Sequence, residues 1–283
     1  MAGLFGLFNY EKEGPGIDKN APQKHGFIVF FETFFRNFWK FIPINLVYCL
    51  VSLPIITNGF AKVGITHVAR NTARDKHSFG LSDFFDTIKK NKKQAFVAGI
   101  INALVYGLMA VNLYFYWFFS KGIMQSIGLG FIMAAFFIFT IMNYYLWTLI
   151  ITFDYKLKQA YMNSFRFVFI NLKYNLLVFF VNVLLLAAAI GIVFLFPKYF
   201  LFILTIEFLL YIAIYPCFNA LLIQFCTFPS IKKYIIDPYY EKHPDADIEK
   251  RHDLGLKTQA DILAEQQAAE EEDEDDSDVI FND

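Results

Sequence analysis

The chain has 283 residues, of which 57% are hydrophobic and only 18% charged, and its mean hydropathy is +0.42. Soluble domains carry about 45–50% apolar and about 25% charged residues, so this composition excludes an ordinary cytosolic protein. The net charge of −1 conceals an asymmetry, because residues 1–240 hold 21 Lys/Arg against 10 Asp/Glu, whereas residues 241–283 hold 4 against 16. We therefore expect a transmembrane helical domain at 1–240, followed by an acidic C-terminal tail at 241–283.

Five stretches are apolar over the roughly 20 residues that a helix needs to cross a hydrocarbon core of about 30 Å. Residues 120–122 alone separate the second stretch from the third, and residues 197 and 198 separate the fourth from the fifth, which predicts two tight helical hairpins. The predicted fold is all-α, a polytopic membrane bundle of about five transmembrane helices. The spans lie near 38–60, 95–119, 123–151, 174–196 and 199–227.

Basic residues between the spans predict the orientation of the bundle. Segment 61–94 carries eight Lys/Arg, segment 152–173 carries four and segment 229–283 carries six, whereas each hairpin link carries one. Because basic loops remain in the cytoplasm, both long loops and the C-terminus are expected on the cytoplasmic side of the cell membrane. Their basic and aromatic stretches predict amphipathic interfacial helices that contact anionic lipid headgroups, not nucleic acid.

An eight-residue repeat bears on the first span. The copy at 84–91 is Phe-Phe-Asp-Thr-Ile-Lys-Lys-Asn. It matches the copy at 30–37, Phe-Phe-Glu-Thr-Phe-Phe-Arg-Asn, at four positions and the copy at 164–171, Ser-Phe-Arg-Phe-Val-Phe-Ile-Asn, more weakly. Each copy leads into a span. Five crossings would leave the N-terminus outside. If the copies share one face, the N-terminus is cytoplasmic and residues 58–73 re-enter the membrane, which brings Lys62 and His67 to depth at a cost. Chance similarity is the alternative, and the sequence leaves both open.

The tail loses its aromatic residues and ends in a run in which eight of the nine residues from 270 to 278 are Asp or Glu. Such a segment cannot bury enough apolar area to offset the entropy of ordering the chain. We therefore expect the tail to be mostly disordered.

Polar side chains within the spans are the candidate functional residues. Glu207 is the ionisable residue well inside a span, and such a carboxylate is a candidate functional site, although a structural or snorkelling role is the favoured interpretation. Asparagine amides could line a polar path, or could join neighbouring helices through bonds of about 0.6–2 kcal/mol each. Pro216 lies in the last span and permits a kink. The amides are Asn102, Asn112, Asn143, Asn182 and Asn219, of which Asn102 and Asn182 align at a repeat offset of 80.

Motifs for catalysis, metals and cofactors are missing from the sequence. It carries no Walker A loop, GxGxxG, HExxH or GxSxG motif, and its five histidines and three cysteines lack metal-ligand spacing. We therefore expect no enzyme activity, no metal and no cofactor.

Three short motifs stand out: Gly-Leu-Phe-Asn-Tyr-Glu-Lys-Glu-Gly-Pro-Gly-Ile at 6–17, Leu-Pro-Ile-Ile-Thr-Asn-Gly-Phe-Ala at 53–61, and Ser-Asp-Phe-Phe at 82–85. Together they resemble the YesL-like family of bacterial integral membrane proteins, a domain of unknown function. The resemblance covers about residues 3–225. It implies a location in the cell membrane and an association with carbohydrate uptake, and it carries over no catalytic residues.

Two functions fit these features. The first is a non-enzymatic accessory or scaffold protein, with an ABC-type sugar transporter as the expected partner. The alternative is a small membrane transporter that uses Glu207. The two differ in one expectation: in a transporter Glu207 and the asparagines converge on one cavity, whereas in a scaffold they scatter among helix contacts.

Overall fold

The computed structural model describes residues 26–76 and 78–243, and this part of the chain consists of helices and short connections. The motif at residues 6–17 and the acidic tail beyond residue 243 lie outside the described residues. Turns of 3-10 helix lie at Ile55–Thr57 and Pro197–Tyr199, and a π turn lies at Lys232–Ile236. The α-helices are α1 (Gly26–Arg36), α2 (Phe38–Ser52), α3 (Asn58–Ala73), α4 (Leu81–Phe118), α5 (Gly122–Thr152), α6 (Leu157–Ile170), α7 (Leu172–Leu195), α8 (Phe200–Ala213), α9 (Tyr215–Ile231) and α10 (Asp237–Lys242).

Three of these helices, α4, α5 and α7, are long and apolar enough to cross a membrane. A fourth crossing follows if the segments that contain α8 and α9, which meet at a bend of 50°, count as one broken span. These elements coincide with the last four predicted spans. The all-α, polytopic membrane fold is confirmed, and both predicted hairpins are present.

The first predicted span, 38–60, is divided between two helices. α2 has 15 residues and is therefore about 22 Å long, which is shorter than a hydrocarbon core of about 30 Å. After Ser52 the backbone is extended at Pro54 (φ −76°, ψ 126°), and α3 begins at Asn58. α3 then runs back beside α2, so residues 58–73 follow the re-entrant path that the repeat allows.

The re-entrant helix α3 lies at the centre of the bundle, where it contacts α2, α4, α5 and α9. Ten of its 16 residues are buried. The polar residues near its C-terminal end have partners: Arg70 donates to the Thr152 hydroxyl at 2.7 Å, and the His67 ring bonds to both Arg70 and Asn71. These bonds reduce the cost of taking polar groups into the bundle.

The described helices form three antiparallel hairpins, namely α2–α3, α4–α5, and α7 with the broken pair α8–α9. All three begin and end at the same end of the bundle, together with α1, α6 and α10. We call this the basic end, and the opposite end, which holds the links at 119–121 and 196–199, the tip end. The contacts that tie the basic end together are the Arg36–Asp75 ion pair, the 2.9 Å bond from Gln94 to the Tyr155 carbonyl, and the Arg74 guanidinium at 4.7 Å from the Phe228 ring centroid.

The three repeat copies lie together at the basic end, each at the start of one hairpin. Asn37 and Asn171 mark the break between a short amphipathic helix and the helix that follows, whereas α4 continues through Asn91. The first two copies each contain the same local hydrogen bond: Asn37 donates to the Thr33 carbonyl at 2.9 Å, and Asn91 donates to the Thr87 carbonyl at 3.0 Å. The three copies therefore lie at the same end of the bundle, as the alternative in which they share one face requires.

The backbones of α3 and α4 touch at Gly59 and Gly99. A Cβ atom on Gly59 would overlap the carbonyl oxygen of Ala95 and would lie 3.0 Å from the Gly99 Cα atom. A Cβ atom on Gly99 would lie 2.9 Å from the Gly59 nitrogen. Small residues at a helix crossing permit this close approach, which holds α3 against α4.

We expect Gly59→Ala to destabilise the protein by about 1–3 kcal/mol, the usual cost of overpacking a tight contact. The measurement is the temperature at which the detergent-solubilised protein ceases to elute as a single species. Gly130→Ala is the matched control, because it is also a helix position and nothing lies within 4 Å of its Cβ site. Equal thermal stability of the two variants would contradict the close contact.

Candidate functional site

A cavity of about 1540 Å³ lies between the three hairpins. Its walls come from α2, α3, α4, α5, α7, α8 and α9. The cavity exists because the hairpins pack tightly at the basic end and less tightly towards the tip end: α8 has no buried residue, and α7 has two, Asn175 and Val178. The cavity therefore lies among the helices that are long and apolar enough to cross a membrane.

The five polar residues that the sequence singles out as site candidates all line this cavity. Asn112, the remaining asparagine within the spans, does not line it, since its side chain is exposed and donates to the Leu108 carbonyl of its own helix at 2.7 Å. The structure has features of both arrangements expected from the sequence, because the five residues line one cavity and three of them, Asn102, Asn143 and Asn182, also take part in bonds between helices. The five residues are Glu207, Asn102, Asn143, Asn182 and Asn219.

A hydrogen-bond network, which includes Tyr161 of α6 behind the wall, fixes the wall formed by α4 and α5. Asn102 donates to the side-chain oxygen of Asn143 at 2.6 Å, and Asn143 donates to the Phe139 carbonyl at 2.9 Å. The Tyr161 hydroxyl donates to the side-chain oxygen of Asn102 at 3.2 Å. Asn102 and Asn143 thus position the wall, and their polar atoms are largely engaged with protein groups.

Asn182 joins the helices of the third hairpin, as Asn102 joins those of the second. It donates to the Val178 carbonyl at 2.8 Å and accepts a bond from the Tyr215 hydroxyl at 2.7 Å, which joins α7 to α9. Asn102 and Asn182 do not bond to each other. Each instead joins the first helix of its own hairpin to the returning one, which is the role that their alignment in the repeat suggests.

Three acceptor oxygens at the cavity have no hydrogen-bond donor among the described residues. They belong to Glu207, Asn219 and Gln224, and each atom is buried. Gln224 is only 2% exposed, and its amide nitrogen donates to the Thr148 hydroxyl at 2.8 Å, which orients the amide. Most buried polar atoms have a partner, and leaving one without a partner costs about 1–3 kcal/mol. These three positions, which follow one another along α8 and α9, therefore lack donors.

Lys62 adds a cation to the same cavity, although the sequence places it in a basic loop. Its side chain is half-buried on α3, and its ammonium nitrogen lies 5.6 Å from the centroid of the Tyr48 ring, a cation–π arrangement. Lys62 forms no ion pair with a carboxylate of the described residues. The sequence places Lys62 at depth under its re-entrant alternative for residues 58–73, but does not include it among the candidate site residues.

The break between α8 and α9 borders the cavity at Tyr215 and Pro216. Asn45, fully buried on α2, closes the break: its amide nitrogen donates to the Ala213 carbonyl at 2.6 Å, and its oxygen accepts the Cys217 N–H at 2.8 Å. The sequence predicts the kink from Pro216, but it gives no sign that Asn45, 172 positions from Cys217, completes it. Discontinuous helices of this kind commonly line binding sites in transporters.

No group of three His, Cys, Asp or Glu side chains in residues 26–76 and 78–243 has a geometry suited to a metal ion. Cys49, Cys217 and Cys226 are free thiols. The cavity offers an ammonium, a carboxylate and amides, which are groups that bind a polar ligand by charge and hydrogen bonding.

Residues 41–113 match the model of a family described as a protein of unknown function, DUF624. This segment includes most of α2, all of α3 and most of α4, and thus the contact between Gly59 and Gly99. The match is consistent with the YesL-like resemblance over this segment. No curated protein and no solved structure matches the chain.

We expect Asn45→Ala to destabilise the protein by about 2–4 kcal/mol, because a buried carbonyl and a buried N–H both lose their partner. Thermal unfolding in detergent measures the loss. Asn112→Ala is the control, since Asn112 bonds only to its own helix, and we expect it to leave the transition unchanged. A variant at Asn45 as stable as the one at Asn112 would show that the break does not depend on this bond pair.

Proposed function

We propose that this protein is a small, non-enzymatic membrane transporter that binds its substrate in the cavity between the three hairpins. The observation that carries the proposal is the convergence of Lys62, Glu207 and the amide side chains on one cavity at membrane depth. Ionisable residues in membrane segments are costly and usually mark a substrate or ion pathway.

The state of these groups favours binding over simple helix contacts. Asn102 and Asn182 are engaged with neighbouring helices, as structural side chains would be. Glu207 and Asn219 instead present buried oxygens without donors, and Lys62 has no counter-charge among the described residues. A scaffold has no need to keep these groups unsatisfied along one cavity, whereas a substrate that binds there would satisfy some of them.

The broken helix α8–α9 supports a transport mechanism. α9 is anchored to the core through the bond of Gln224 to Thr148, whereas no residue of α8 is buried. α8 carries Glu207, so a change of angle at the break would move this carboxylate relative to Lys62. Movement of one hairpin against the others around a central site is the usual basis of alternating access.

We further propose that the basic end faces the cytoplasm. α1 and α10 would then both lie on the cytoplasmic side of the cell membrane. The concentration of Lys/Arg in segments 61–94 and 152–173 supports this orientation, since these segments meet at the basic end. α1, the start of α4 and α6 would then contact anionic lipid headgroups.

Thiol labelling in intact cells tests this orientation. In a variant that lacks the three native cysteines, Lys121→Cys at the tip end should react with a membrane-impermeant maleimide added outside. Lys90→Cys at the basic end should react only after the cells are lysed. The reverse pattern would show that the orientation is inverted.

Transport itself is tested by reconstituting the purified protein into liposomes. The probes are labelled monosaccharides, amino acids, inorganic ions and phospholipids, and we expect at least one to cross faster than in protein-free vesicles. Glu207→Gln should slow that flux by about tenfold or more, because a charge-assisted bond is worth about 1.5–3 kcal/mol. The monosaccharide arm also tests the association with carbohydrate uptake, which stays a prediction from the family resemblance.

Thr205→Ala is the control for this experiment, because Thr205 lies on α8 two positions from Glu207 and is exposed, and it bonds to the Leu201 carbonyl of its own helix. Its flux should equal that of the unaltered protein. Protein-free rates for every probe would overturn the proposal. In that case an accessory role beside an ABC-type sugar transporter becomes the better function, and recovery of transporter subunits with the tagged protein tests it.

A further inference from the structure

A second cavity, of about 450 Å³, lies at the basic end and shares no lining residue with the cavity between the hairpins. The junction of α1 and α2 bounds it on one side, and the end of α3 with the residues that follow bounds it on the other. Its volume is within the roughly 300–1000 Å³ typical of ligand sites, and every residue that lines it has a polar side chain. This basic pocket includes Arg36, Lys40, Thr72, Asp75, Lys76 and Ser78.

Positive charge exceeds negative charge in the basic pocket. Asp75 is the carboxylate that lines it, and Arg36 forms an ion pair with Asp75. Lys40 is half-buried and donates to the carbonyl of Ser78, a neutral group, and it forms no ion pair in the described part of the chain. Arg36 and Lys40 therefore leave one positive charge in excess even when Lys76 is not counted. An anion in the pocket would supply the opposite charge.

The pocket also holds hydrogen-bond donors that the protein leaves available. A guanidinium has five N–H donors and an ammonium has three, and the bonds to Asp75 and Ser78 use one of each. Thr72 lines the pocket and is only 5% exposed, yet its buried hydroxyl has no hydrogen-bond partner among the described residues. Most buried polar atoms in proteins have a partner. A ligand with several acceptor oxygens would provide partners for all three side chains.

The end of α3 does not account for these cations. Lys and Arg side chains near the C-terminus of a helix often bond to its last carbonyls. Here backbone N–H groups of residues 74–76 bond to the carbonyls of Asn71 and Thr72 at 3.0–3.2 Å. The backbone thus caps α3 by itself, and neither Arg36 nor Lys40 is needed for that purpose.

The donors and the excess charge fit a phosphate group. Phosphate oxygens accept several hydrogen bonds at once, from an arginine in a planar, bidentate pair and from a lysine as a compact point charge. A neutral sugar would leave the excess charge uncompensated, and a metal cation would add to it. The chemistry of the basic pocket therefore selects an anion with oxygen acceptors.

The surroundings of the pocket indicate a phospholipid as the source of this phosphate. Phe35 and Trp39, which precede Arg36 and Lys40 in the sequence, are 65% and 82% exposed. Exposed aromatic side chains of this kind are typical of the level at which lipid headgroups meet the hydrocarbon core. The pocket lies at that level if α2, which begins at Phe38, enters the membrane there. A soluble phosphate compound would have no use for the neighbouring aromatic residues.

We infer that the basic pocket binds the phosphate group of an anionic phospholipid. Arg36 and Lys40 bond to the phosphate oxygens, the Thr72 hydroxyl donates to one of them, and the acyl chains extend past Trp39 into the bilayer. A headgroup that carries its own quaternary ammonium binds less well, because that cation meets Lys40. This site does not depend on transport, since a transporter and an accessory protein would use it equally.

Native mass spectrometry of the full chain, released from detergent, tests the inference by counting bound lipids. The probes are phosphatidylglycerol, phosphatidylcholine with the same acyl chains, and soluble glycerol phosphate. We expect one molecule of phosphatidylglycerol to bind at least about tenfold more tightly than either other probe. Lys40→Gln should weaken this binding by about tenfold or more. Lys90→Gln is the matched control, because Lys90 is an exposed lysine at the basic end that does not line the pocket.

Thr72→Val separates binding from folding. Valine has nearly the shape of threonine, and the hydroxyl that it lacks has no protein partner to lose, so the variant should unfold at the temperature of the unaltered protein or above it. We expect it nevertheless to bind phosphatidylglycerol about tenfold more weakly. Unchanged binding by Thr72→Val would overturn the inference, and so would equal losses in Lys40→Gln and Lys90→Gln, because either would show attraction to the basic end as a whole. Equally tight binding of glycerol phosphate would also overturn it, since the site would then belong to a soluble ligand.

Discussion

At Gly59 and Gly99 the backbones of α3 and α4 approach until no side chain fits between them. This contact allows a helix that is too short and too polar to cross a membrane by itself to occupy the centre of the bundle. Because α3 sits there, Lys62 reaches the cavity, and the returning helix α9 has a surface on which to pack. The three hairpins are arranged around this helix, and the cavity is the space left where they separate.

Hydropathy and short links were sufficient to predict the long hairpins, because an apolar run as long as that of α7 is stable only as a helix in the hydrocarbon interior of a membrane. The position of α3 could not be read in the same way. Its mean hydropathy is lowered by Lys62, His67 and Arg70, and its burial depends on partners such as Thr152 that are distant in sequence. The repeat was the one local signal of this path, since it requires residues 30–37 and 84–91 to lie at the same end.

The residues of the candidate site fall into two groups: some could be recognised from their own segment, and others belong to the site only through contacts with residues distant in sequence. Glu207 and the asparagines could be singled out because a carboxylate or amide within an apolar run has few explanations. The sequence placed Lys62 at depth only under the re-entrant alternative and did not make it a site candidate, and Tyr48 was missed, because only the contact between these residues across α2 and α3 brings them to one site. Asn45 was missed for a further reason: the backbone groups that it satisfies become available only after the distant chain has broken between α8 and α9.

The re-entrant hairpin α2–α3 also has a consequence for biosynthesis. It is synthesised before α4, α5 and α9, which carry most of its contacts, and α9 emerges about 150 residues later. α4 can cover the Gly59 face of α3 as soon as it is made, but until α9 and the break before it exist, Asn45 lacks its backbone partners and one face of α3 stays uncovered. The amino-terminal hairpin is therefore among the first helical parts of the protein to be synthesised and the last to complete its packing.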